Sequence, residues 1–69
     1  MKGKESFDCA DTLHNIGNVY KKQDKLSEAL KYFSRALSIY EKVKGKESFK
    51  YAVTLYDIGR VYKKQGKLN

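Results

Sequence analysis

The chain has 69 residues, a formal net charge of +7 and a sequence pI near 9.6. That length admits one small domain, whose core supplies about 3–5 kcal/mol of net stability at best. A single cysteine excludes an internal disulfide, and no apolar run is long enough to span a bilayer or to read as a signal peptide.

The helical elements follow one another with short breaks. Ser6 is positioned to cap a first helix, and Asp8 in its first turn complements the helix dipole. Ala10, Leu13, Ile16, Gly17 and Tyr20 recur at three- and four-residue steps, the spacing of one helical face. This helix should run to about Lys22, with Gln23, Asp24 and Lys25 forming a tight turn. A second helix opens near Ser27 and carries a stripe of Leu26, Ala29, Leu30, Phe33, Ala36, Leu37, Tyr40 and Val43. Gly45 falls where a left-handed C-cap is expected. Ser48 then caps a third helix bearing Phe49, Ala52, Leu55, Ile58, Gly59 and Tyr62, with Gly66 beyond its end. No segment alternates with period two, and proline, which would interrupt long helices, is absent. The fold class is all-α, with three helices.

The third helix is a copy of the first. Residues 2–27 (KGKESFDCADTLHNIGNVYKKQDKLS) and 44–69 (KGKESFKYAVTLYDIGRVYKKQGKLN) are offset by 42 residues and identical at 18 of 26 positions. The chain thus holds one full unit, 2–43, and the first part of a second, 44–69, within a single domain spanning 1–69. Glycine inside a helix costs up to about 1 kcal/mol relative to alanine. The repeated placement of Gly17 and Gly59 therefore points to a close approach by a neighbouring helix.

Leu13, Ile16, Gly17, Tyr20, Ala29, Phe33 and Ala36, with Leu55, Ile58, Gly59 and Tyr62 in the second unit, resemble the tetratricopeptide repeat at that family's spacing. Leucine stands at the usual tryptophan, and Glu41 at the usual closing proline. The 42-residue period, and the strings Thr12–Lys25 and Thr54–Lys67, look like the longer variety found in kinesin light chains and related arrays. The resemblance implies a tetratricopeptide-like helix-turn-helix repeat, an α-solenoid fragment of about 1.5 repeats. It also implies a superhelix whose first helices line a concave face that holds protein or peptide segments.

Five of the eight differences between the units, Asp8/Lys50, Asp11/Val53, His14/Tyr56, Asn15/Asp57 and Asn18/Arg60, cluster on the first helix of each unit. The resemblance assigns this side to the concave groove. The candidate ligand-binding residues are accordingly Asp11, His14, Asn15, Asn18, Val53, Tyr56, Asp57 and Arg60. Lys21, Lys22 and Lys25 recur as Lys63, Lys64 and Lys67, a basic edge at the turn end of each first helix that would attract acidic peptides or phosphates. The bland reading is that an exposed face drifts and that the lysines keep the surface solvated.

Catalysis requires converging groups. The one histidine, His14, and the one cysteine, Cys9, are five residues apart and share no helical face well. The chain carries no CxxC pair, no glycine-rich phosphate loop and no carboxylate cluster with metal-ligand spacing. No enzymatic activity, cofactor or metal is expected, and no nucleic acid or membrane partner. A lone cysteine fits a reducing, cytoplasmic setting. The sequence stops before a second helix of unit two, so Leu55, Ile58, Tyr62 and Leu68 are expected to leave apolar surface exposed. A homo-oligomer, a dimer first of all, is the expected consequence, with domain swapping across 44–48 as one route to it and a monomeric three-helix bundle as the rival. The alternatives are a purely structural or engineered unit without a ligand, and a basic anion-binding surface.

Overall fold

The computed structural model describes residues 6–43 and 48–66. Gly45, Lys67, Leu68 and the side chain of Ser48 lie outside the described residues, and with them the two expected caps and one expected exposed leucine. Three helices follow in order: α1 (Phe7–Lys22), α2 (Leu26–Lys42) and α3 (Ser48–Lys64).

Helix α1 starts as its sequence requires. Ser6 has extended backbone angles, and its hydroxyl accepts a hydrogen bond from the Cys9 amide at 3.3 Å. The helix closes in a Schellman arrangement: the Lys25 amide donates to Tyr20 O at 2.9 Å and the Asp24 amide to Lys21 O at 2.9 Å. This places Asp24 in the left-handed region at φ 66°, and Gly66, its counterpart in the second unit, has φ 76°. Glycine adopts that conformation without a steric penalty and aspartate tolerates it. The tight closure also moves the start of α2. Lys25 occupies the N-cap without a side-chain bond, so the helix begins at Leu26 and Ser27 is already inside it.

Helix α2 packs against both α1 and α3. Its buried residues, Ala29, Phe33, Ala36, Ile39 and Tyr40, span a wider arc than one neighbour would need. Ile39, outside the stripe expected from the sequence, is buried in a cluster with Ala10, Leu13, Ala36 and Tyr40. A second cluster joins Ala29 and Phe33 to Val61 of α3, with Tyr20, Leu26, Leu30 and Ile58 around it.

The two copies of the first helix use opposite faces. In α1 the buried residues are Ala10, Leu13 and Gly17, while Thr12 is exposed and Val19 is 54% exposed. In α3 the counterparts of those two, Thr54 and Val61, are fully buried. The counterparts of α1's buried stripe turn outward: Ala52 is exposed, Leu55 is 45% exposed and Tyr62 38% exposed. Ile58 is half-buried against α2. Each first-type helix therefore has two apolar faces, one for the α2-type helix that follows it and one for the helix that precedes it. Among the described helices, α2 covers one of these faces on each copy.

The internal glycines show the same asymmetry. A Cβ added at Gly17 would lie 2.8 Å from the Phe33 ring and 3.3 Å from Ala29 O, whereas nothing lies within 4 Å of a Cβ at Gly59. The Phe33 ring is fully buried, so any shift that accommodates this Cβ disturbs the packing around it. Gly17→Ala should therefore destabilise the fold by about 1–3 kcal/mol through overpacking. Gly59→Ala should stabilise it by up to about 1 kcal/mol through helix propensity alone. Chemical denaturation of the two variants beside the parent chain measures both. Equal effects of either sign would contradict the seating of Phe33 on Gly17.

Candidate functional site

The polar residues that distinguish the two units meet across the α1–α3 seam. Tyr40 Oη of α2 donates a hydrogen bond to Asp11 Oδ1, and Lys50 Nζ of α3 donates to the same oxygen at 2.9 Å. One turn further along, His14 Nε2 donates to Asp57 Oδ2 at 2.7 Å; a carboxylate only accepts, so that ring nitrogen carries the proton. His14 and Asp57 are 13% and 14% exposed, and Lys21 Nζ lies 3.9 Å from the other Asp57 oxygen. The buried Thr54 hydroxyl donates to Lys50 O at 2.8 Å and lies 3.4 Å from His14 Nδ1. The His14 ring also meets Phe33 edge-on, with centroids 5.3 Å apart.

These contacts alter the meaning of the differences between units. Asp11 of the first unit is bonded to Lys50 of the second, and His14 of the first to Asp57 of the second. The substitutions complement each other across the repeat junction, and Val53 or Tyr56, placed at positions 11 and 14, would not supply the same partners.

The eight candidate ligand residues divide into three groups. Asp11, His14, Asn15 and Val53 line one shallow groove of about 300 Å³ between α1 and α3, together with Phe49 and Lys50. Its floor is polar and internally bonded. Its α3 wall is apolar and open, with Phe49 59% exposed and Val53 43% exposed. Tyr56 and Arg60 instead line a separate open hollow around Gly59, with Lys63 and Lys64, and the Arg60 guanidinium lies 5.7 Å from the Tyr56 ring centroid. Asp57 is held by His14, and Asn18 is half-buried on α1. Phe49, Tyr40 and Thr54 escaped the list of candidate residues. Phe49 and Tyr40 are legible in the sequence only as stripe residues, and Thr54 gains its role from packing that spacing does not reveal.

The basic edge is partly neutralised. Lys22, Lys25, Lys63 and Lys64 are exposed, but Lys64 lies 3.7 Å from Asp24 and Lys21 is drawn toward Asp57. Cys9 is half-buried against the first hydrophobic cluster. Among the described residues no group of three His, Cys, Asp or Glu side chains could hold a metal ion, and no helix is long and apolar enough to cross a membrane.

The hydrogen bond from Tyr40 holds the Asp11 carboxyl below its ordinary value of 3.8; partial burial opposes this, and the Lys50 ammonium adds to the lowering. A carboxyl depressed in the folded state contributes stability that is present above its unfolded value and is lost as pH falls through the folded value. Asp11→Asn should therefore lower stability at pH 7 and lose that deficit as the pH falls below about 4. The difference should amount to tenths of a kcal/mol, because the Asp11 side chain is 38% exposed and solvent screens it. Paired thermal melts at pH 7 and pH 2.5 read it, and a deficit that persists at the lower pH would exclude a carboxylate contribution.

Comparison with known proteins agrees with this architecture. The sequence profile of the tetratricopeptide repeat matches residues 8–69. No curated protein and no solved structure matches the chain. The matched family generally mediates protein–protein interaction through repeats that are typically non-catalytic. Paired antiparallel contacts between α1 and α2, a third helix repeating the first, and a profile match over nearly the whole sequence establish that the chain belongs to the tetratricopeptide repeat family.

Proposed function

We propose that the chain is a scaffold module of one domain, with 2–43 as a full repeat and 44–69 as the start of a second. It holds a peptide or protein segment along the concave α1–α3 groove. The observation that carries this reading is the open apolar wall of Phe49 and Val53 standing over a floor of already bonded polar groups. Such a floor gives up few hydrogen bonds on binding, while the wall offers apolar area to bury. Asn15, exposed on the opposite side, supplies amide groups that suit an extended backbone. With a net charge of +7, the chain favours segments that carry acidic residues beside their apolar anchors. The solitary Cys9 fits action in the cytoplasm.

Selection of a random twelve-residue peptide library against the chain tests the reading. Sequences pairing acidic with aliphatic or aromatic residues should be enriched, and Val53→Asp should weaken the selected peptides by about tenfold or more. If nothing is enriched, the unit is purely structural. If the binders ignore Val53→Asp but respond to charge reversal at Lys22 and Lys63, the basic edge is the site.

Self-association has its own supporting observation in the exposed Leu55 and Tyr62 of α3. That helix also carries Lys50, Arg60, Lys63 and Lys64 against Asp57 alone, so two copies facing each other repel. Light scattering over a concentration series should show dimer only at raised ionic strength. A dimer that is equally stable at low salt would mean that the copies meet elsewhere or exchange helices.

A further inference from the structure

Each first-type helix ends in a pair of lysines, Lys21 and Lys22 in α1 and Lys63 and Lys64 in α3. Stacking separates the members of the first pair. Lys21 is drawn toward α3, with its ammonium 3.9 Å from Asp57 and its side chain 21% exposed. Lys22 stays exposed with both other helices in place, so its outward position is compatible with a stacked neighbour. Lys64 reaches the α1–α2 turn, where its ammonium lies 3.7 Å from Asp24. Lys25, next to Asp24, is exposed as well. Among the described residues neither Lys22 nor Lys25 forms an ion pair.

Part of this charge serves the fold. Lys22 and Lys64 lie in the last turns of α1 and α3, where a cation complements the helix dipole. Lys25 does the opposite. It occupies the N-cap of α2, makes no side-chain bond there and places a cation at the positive end of that dipole. A residue that works against its own helix is one that the fold does not require. We propose that Lys22, Lys25 and Lys64 form a docking edge for an acidic segment of another protein. Asp24, 74% exposed beside them, sets the class of partner. A continuous row of phosphates would lie across that carboxylate, whereas a peptide can set its own carboxylates on the lysines and a neutral residue over Asp24. The edge lies outside the α1–α3 groove, so this recognition does not rest on binding there.

A decapeptide of alternating glutamate and serine, blocked at both ends, is the probe; it has no apolar side chain for the groove wall. A strand of ten thymidylates is the rival polyanion. In amide spectra of the full chain at about 0.1 M salt, the peptide should shift residues 22–25 and 64 and let go as salt is added. Lys25→Asp is the decisive variant. The dipole favours an acid at the N-cap, so the variant should melt no lower than the parent and yet bind the peptide about tenfold or more weakly. Arg35→Glu makes the same change in net charge about 15 Å further along α2, beyond the screening length of about 10 Å, and should weaken binding far less. Equal losses in the two variants would reduce the effect to overall charge and overturn the proposal. Binding insensitive to Lys25→Asp, tighter binding of the thymidylate strand than of the peptide, or no binding at millimolar peptide would overturn it too. So would a Lys25→Asp chain that melts below the parent, since Lys25 would then serve the fold.

Discussion

The Phe33 ring lies against Gly17 with no space for a Cβ between them, and the rest of the molecule is arranged around that contact. It sets how closely α1 and α2 approach. The close approach buries Ala10, Leu13, Ala29 and Ala36, and it brings the His14 ring to the edge of Phe33. With α2 fixed on α1, its remaining arc is presented to Val61 and Ile58 of α3. Only then do the α1 and α3 side chains come within reach of one another. The polar seam is thus a consequence of apolar packing on α2, which touches both helices.

Much of the fold was legible because the determinants are local. The serine cap of α1, the turn over Gln23–Lys25 and the helical stripe of α2 depend on residues a few positions apart. What spacing could not reveal was which of two apolar faces α3 would bury. Thr54 and Val61 are identical to Thr12 and Val19, yet one pair is buried and the other exposed, because burial depends on the neighbour that arrives. Ile39 was missed for the same reason: an interior helix buries more than one stripe. The left-handed turn at Asp24 had a signal in the alignment of the units, since the equivalent position is Gly66.

The candidate groove was half legible. The five differing positions do gather on the first helices, and four of the eight candidate residues share one groove. Several of the differences nevertheless satisfy each other across the seam, at separations near the 42-residue period. His14 and Asp57 lie 43 positions apart in sequence and 2.7 Å apart in space. A comparison of position 14 with position 56 shows that the residues differ, while their complementarity lies with the neighbouring register. In a repeat protein, variation between units therefore carries information about unit-to-unit contact as well as about exposed binding surface.

The duplicated stripe also bears on how the chain reaches its native arrangement. Ala52, Leu55, Gly59 and Tyr62 offer α2 the same side chains as Ala10, Leu13, Gly17 and Tyr20, so during folding α3 is a decoy for the seat that α1 occupies. Apolar packing at the shared positions distinguishes the two docking choices poorly. The distinction falls to the groups that differ. With α3 in the wrong seat, Val53 and Tyr56 would replace Asp11 and His14, and the acceptor for the Tyr40 hydroxyl would be gone. A few polar pairs thus favour one of two seats whose apolar side chains are shared. A copied sequence thus makes its unshared residues the ones that specify a single arrangement.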